Sequence, residues 1–344
     1  MIMEAVQDDP FDDPFGEEEL EASMQFKPEV EINLLCSGAE RPRMVSVINR
    51  LAKSKAGRET LEIAAKAGYS VAFMDMGKNC HGVCNRYNKR IGLAPWADDD
   101  KLVATLCHEA RHAGQNVRMA DIPDHDQLNV ASIIRSSRAK EADAQAFALK
   151  VCKELERQGD NGPLTTFAKS YPQIYGAFEN ALAEQNGVLN DKVVAAAFKG
   201  WYDQKGVKQK YEELYLVGPM NNALDQIDHK AAPAYTFEKN VPSEKIVKEV
   251  GWTKDGNYLK DENPAFLDEE RYISLGGSAK RDAQDFFSIR KEKTGIEGDK
   301  SVDSMPTYRE LFIRKFPEIG KRRQEQRHGD LSGILLARRL SNSR

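Results

Sequence analysis

The stretch LCHEARHAGQ, residues 106–115, constrains this chain more than any other. His108 and His112 are four residues apart. On a helix that spacing stacks two side chains on one face, so both rings can aim a nitrogen at one tetrahedral cation. Glu109, one position on, projects beside such an ion, where a carboxylate can take a proton from water. All of this requires the stretch to be helical, and WADDDKLVATLCHEARHAGQNVRM meets the requirement. Asp98, Asp99 and Asp100 stand where the helix dipole is positive, and Leu102, Val103, Leu106, Ala110 and Ala113 form an apolar stripe.

A third protein ligand has to come from elsewhere. Six residues beyond His112 lies Arg118, and Gln115 occupies the place of the glycine that a three-histidine extension of the motif would carry. After the polar loop ADIPDHDQLN, the run ASIIRSSRAKEADAQAFALKVCKELERQG reads as a second long helix, stopped by GDNGP at 159–163. Within it Glu141, Ala144 and Ala148 share a face, and the alanines let the two helices come close. Glu141 is the expected third ligand. Asp143 competes for the role; two residues on, it is turned about 200° around the helix, which suits a partner to a ligand histidine instead. Hydrolysis also needs a donor for the developing oxyanion. Arg138, Tyr175, Tyr202, Tyr211 and His229 all qualify by residue type, and the choice stays open. His125 and His328 read as exposed.

LCHEARHAGQ followed by EADAQAFA at 141–148 resembles the gluzincin metallopeptidases, and within them the ImmA/IrrE-type peptidases, whose second motif E-x-x-A-x-x-F-A is matched here by Glu141, Ala144, Phe147 and Ala148. The layout, with a strand just before L-x-H-E-x-x-H-A-x-Q, is also similar to a group of bacterial metallopeptidases of unassigned substrate. The resemblance covers residues 40–230 and is strongest over 90–150. It implies a zincin-like α+β fold, with a small antiparallel or mixed sheet packed on the HExxH helix and otherwise mainly helical. It further implies one zinc ion per chain held by His108, His112 and Glu141, and Glu109 as general base in the hydrolysis of a protein or peptide substrate. ImmA/IrrE-type proteins usually add a DNA-binding helix-turn-helix, which this sequence does not show.

Elsewhere, RMVSVINRLAKS and RETLEIAAKAGY place apolar residues at helical spacing, with Gly57 as the expected break between them. YSVAFMDM and NKRIGLAP read as two strands ahead of the motif helix. From Leu164 to Gln226 the pattern is helical and aromatic-rich, with Val194, Phe198, Trp201, Tyr202, Tyr211 and Tyr215 as packing residues. Four regions follow: an acidic tail over 1–30, a metallopeptidase domain over 31–230, a charged, loosely structured region over 231–319, and a basic tail over 320–344.

Charge separates the ends. Residues 1–26 hold nine acids and no base, and they include the repeat DDPFDDPF, a candidate docking segment for a partner protein. The last 24 residues hold seven bases against two acids and loosely resemble the arginine-rich C-terminal signals of proteins translocated by type IV secretion. The expected location is therefore cytoplasmic, without a leader peptide, or a host cell reached through a specialised secretion system, as for a bacterial effector. No apolar run suits a membrane helix, and no phosphate loop or aromatic-interleaved basic patch points to nucleic acid. The five cysteines are scattered; CHGVC at 80–84 lacks a matching second pair and reads as semi-buried thiols on a loop. The alternative to an enzyme is a non-catalytic scaffold that docks partners through its charged tails.

Overall fold

The computed structural model describes residues 27–229 and 237–317. The acidic segment with its DPF repeat, the boundary expected near 230, His328 and the basic segment lie outside those residues. The described chain forms two compact units, neither of them one continuous stretch. The first takes the chain up to Ala120, Lys140–Asp203 and Trp252–Tyr258; the second takes Asp121–Ala139, Gln204–Gly251 and the chain from Leu259.

In the first unit, β1 (Asn33–Leu34) leads into the two expected helices, α1 (Arg41–Ala52) and α2 (Lys55–Lys66). Met44, Ile48 and Leu51 of α1 are fully buried. Gly57, the expected break, lies inside α2 instead. The break is Ser54, whose hydroxyl accepts the Gly57 N–H at 3.0 Å and so caps the helix. Glycine is needed at 57 for closeness: a Cβ there would sit 2.4 Å from the Leu51 carbonyl oxygen.

The sheet holds β2 (Ser70–Phe73), β3 (Gly82–Asn85) and β4 (Arg90–Leu93) in the order β1-β2-β4-β3. β2 runs parallel to β1 and β4, and β3 lies antiparallel on β4. Every residue of β2 is buried, as befits an inner strand. Among the described residues four strands therefore precede the motif helix, where the sequence pattern shows two. β1 is too short to leave a periodic signal. β3 is an edge strand that alternates between half-buried and exposed, and GVCN, with its glycine, reads as loop. Cys84 thus belongs to a strand, in correction of the loop expectation. The turn into β4 is closed by Asn85, whose side chain accepts the N–H groups of Tyr87 and Asn88.

α3 (Asp99–Arg118) is the motif helix. The Asp98 carboxylate accepts the Lys101 N–H at 2.8 Å and caps it, and Leu102, Val103, Leu106, Ala110 and Ala113 are all fully buried, as the stripe predicts. It packs on α1, α2, β3 and β4. α4 (Val130–Glu156) is buried almost all round, which marks a central helix; from Lys140 on, it belongs to the first unit. Arg50 of α1 ties the start of α3 to the turn after α4, with 2.5 Å contacts to Asp100 and Asp160. α5 (Gly162–Ser170), α6 (Pro172–Glu184) and α7 (Asp191–Trp201) follow, with Val194, Phe198, Trp201 and Tyr202 buried as expected. A hairpin, β5 (Trp252–Thr253) and β6 (Gly256–Asn257), completes the unit.

The second unit is helical: α8 (Val207–Glu212), a π-helical turn over Glu213–Val217, α9 (Gly218–Asp228), α10 (Ser243–Val250), α11 (Glu270–Ile273), α12 (Gly277–Thr294), α13 (Ser301–Ser304) and α14 (Tyr308–Lys315). Residues past 237 are thus more regular than their turn-rich sequence suggests, because many of these helices are short and carry charged outer faces. Tyr211 and Tyr215 stack on each other, 5.9 Å between centroids, and stay partly exposed instead of entering the core. Arg138 is 1% exposed and lies 2.5 Å from Glu212, and it donates to the Tyr272 carbonyl and the Tyr308 hydroxyl. The fold is α+β and mainly helical. Among the described residues no helix is long and apolar enough to cross a membrane.

Candidate metal centre

α3 and α4 bring His108, His112 and Glu141 together. One ligand atom from each lies within 4.8 Å of the others, and among the described residues no other group of three or more His, Cys, Asp or Glu does this. The two Nε2 atoms are 3.0 Å apart, and the rings meet edge to face at 4.6 Å between centroids. Glu141 reaches both, with Oε2 3.3 Å from His108 Nε2 and Oε1 3.5 Å from His112 Nε2. Ala144 and Ala148, on the Glu141 face of α4, are buried.

This arrangement concentrates charge. Burial alone would lower the His112 pKa, but the carboxylates of Glu141 and Glu109 outweigh it and hold the imidazole up to about 9. Burial would likewise raise the Glu141 pKa; His112 and His108 overcome it and hold the carboxyl well below the ordinary range. Two imidazole nitrogens 3.0 Å apart can share only one proton, and without one their lone pairs repel. Two neutral nitrogens and one carboxylate oxygen converging on one point fit a single divalent cation, and the set matches the His2Glu pattern of catalytic zinc sites.

Glu109 sits one residue beyond His108 and is 8% exposed. The edge strand closes directly over it: a Cβ at Gly82 would lie 2.5 Å from Thr105 Cγ2 and 2.9 Å from Glu109 Cγ. Only glycine fits between β3 and this face of α3. Cys84, two residues further along β3, lies 3.8 Å from Asn116 Nδ2, and burial followed by the Glu109 charge keeps its thiol protonated.

Asp143 stands outside this group. Turned away from Glu141, it is wholly buried and receives Arg111 Nε at 2.8 Å and Nη2 at 2.9 Å, Gln115 Nε2 at 2.6 Å and the Tyr258 hydroxyl at 2.7 Å. Its link to His112 is indirect, through Gln115, whose Oε1 lies 2.8 Å from His112 Nδ1. The direct pairing of Asp143 with a histidine that the sequence suggests is not seen; Gln115 stands between Asp143 and His112. His112 and Gln115 are three residues apart on one helix face, a signal that was present in the sequence.

The oxyanion candidates sort by unit. Arg138, Tyr211 and His229 belong to the second unit, where Arg138 donates to the Tyr272 carbonyl and to Glu212. Tyr202 is buried in the core of the first. Tyr175 carries a raised pKa from burial and the neighbouring Glu179. The tyrosine that senses the site is Tyr171, between α5 and α6. Burial raises its pKa, its hydroxyl bonds Gln145, and the charges of Glu141 and Glu109 raise the pKa further. It stands in a loop corner with no periodic pattern to single it out.

Searches of curated proteins and of solved structures return no match. The model of the Putative metallopeptidase family (DUF6782) matches residues 32–256, which takes in β1, both motif helices and His108, His112 and Glu141. With a match over well beyond half of its 344 residues, the chain belongs to that family.

Proposed function

We propose that this chain is a single-zinc peptidase of the gluzincin type, hydrolysing a bond in a protein or peptide substrate. The observation that carries the reading is the convergence of His108, His112 and Glu141, from two helices, on one buried point, with the buried carboxylate of Glu109 next to His108 on the same helix. When bound there, zinc supplies the positive charge that polarises a scissile carbonyl and acidifies water. The protein's own residues do the rest. Glu109 takes the proton of the attacking water and delivers it to the leaving amine. Gly82 leaves the Glu109 carboxylate unobstructed by a side chain. Tyr171 donates the hydrogen bond that steadies the developing oxyanion.

The test pairs metal content with cleavage. Wild type and Glu109→Gln should each hold one zinc per chain by plasma mass spectrometry, His108→Ala and Glu141→Ala should lose it, and only wild type should cut an unfolded protein substrate. A folded wild type without stoichiometric zinc overturns the reading, and cleavage that survives in Glu109→Gln removes that residue as the base. Docking of a partner by the DPF repeat and translocation through residues 320–344 remain separate proposals. They are tested by pull-down with the isolated acidic segment and by fusing the basic segment to a translocation reporter.

A further inference from the structure

The strongest unassigned feature is the amide of Gln115, every polar atom of which is engaged. Its Nε2 donates to the Lys140 carbonyl at 2.9 Å and to Asp143 Oδ2 at 2.6 Å. A backbone carbonyl cannot donate, and neither can a carboxylate gripped by a guanidinium. The amide therefore cannot turn over, since a flip would point its carbonyl oxygen at two acceptors. Its Oε1 must face His112 Nδ1, 2.8 Å away, and an oxygen there can only accept.

We infer that Gln115 is the positioning residue that fixes His112 with its proton on Nδ1 and its lone pair on Nε2 toward the metal, and that Asp143 sets the orientation of Gln115. The inference rests on the zinc-site reading above. It also separates the two histidines. His108 Nδ1 is buried and makes no hydrogen bond among the described residues, so only His112 is held in this way. The clamp is anchored from afar: Tyr258 holds Asp143 Oδ1, and Arg111, bound to the same carboxylate, also donates to the Trp252 carbonyl at 2.7 Å. The β5–β6 hairpin thereby belongs to the support of a ligand that lies on α3. Partners of this kind orient ligand rings and raise their basicity, and losing one typically weakens metal binding 10–100-fold.

The experiment uses zinc and the full chain, with and without Gln115→Met, a change that keeps volume and removes both amide functions. In ¹⁵N-labelled, zinc-loaded wild type, the His112 Nδ1–H should give an imidazole signal protected from solvent exchange, while that of His108 exchanges faster. Gln115→Met should abolish the His112 protection and weaken zinc binding about 10–100-fold in competition with a chromophoric chelator. The inference is overturned if His112 exchanges as fast as His108 in wild type, a result that needs no variant to fold, or if Gln115→Met binds zinc within about threefold of wild type. A wild type that takes up no zinc at all overturns the peptidase reading itself, so the two failures are distinct.

Discussion

Replacing Asp143 by leucine should be among the most damaging single changes in the first unit. The carboxylate is wholly buried and accepts four hydrogen bonds, two of them from Arg111, itself 6% exposed. Asp143→Leu leaves a guanidinium in the interior without its counter-charge, for which the expected cost is about 3–5 kcal/mol. Against a total stability on the order of 5–15 kcal/mol, that is a large share. In a unit of this size it corresponds to a fall in melting temperature on the order of 10 °C. Adding Arg111→Met removes the stranded charge and leaves the Gln115 and Tyr258 donors without their acceptor and the Trp252 carbonyl without its donor, at about 1–3 kcal/mol each. The double variant should therefore be no less stable than Asp143→Leu alone, although it carries one more core change. Urea denaturation followed by circular dichroism gives all four corners of the cycle. If the two single-variant costs simply add in the double, Arg111 and Asp143 are not coupled, and the buried network is not what fixes this part of the fold.

Three further outcomes follow from the site. Because the His112 pKa is raised to about 9, the imidazole carries a proton below that pH, and zinc must displace it. Affinity should therefore rise roughly tenfold per pH unit up to about pH 9 and then level off, with close to one proton released by calorimetry in buffers of different ionisation heat; proton-free uptake at pH 7 would contradict the charge state. Gly82→Ala puts a methyl group against Thr105 and Glu109, so cleavage should fall further than the ~1–3 kcal/mol of overpacking would explain through unfolding; equal losses of folded protein and of activity would argue that Glu109 is not displaced. Tyr171→Phe should lower kcat by about 10²-fold with zinc content unchanged, and an unaltered kcat would remove it as the oxyanion donor.

Much of the centre was legible because it is written in helix periodicity. Asp98 to Asp100 mark the start of α3, its apolar stripe sets which face is buried, and the i, i+4 spacing gives the histidine pair. Glu141 was readable because small residues on its own face of α4 announce a close helix neighbour. What lay hidden depends on long-range closure. Tyr258 meets Asp143 across 115 residues, and nothing in YLKDE or EADAQ signals that meeting. β3 was hidden because an edge strand is half exposed and therefore only weakly patterned, and Gly57 misled because a glycine needed for close packing looks the same in sequence as one that ends a helix. Tyr171 was hidden because it stands in a corner between two short helices.

Glu141 and Asp143, two residues apart on α4, are held on opposite sides of that helix, one facing the histidines and the other locked by Arg111, Gln115 and Tyr258. α4 therefore cannot roll about its own axis without tearing the Asp143 side apart, so the bearing of Glu141 is set when the chain folds and not when an ion arrives. Little ordering entropy is left to be lost on uptake, so what an incoming ion works against is the proton on His112 and not a rearrangement of Glu141.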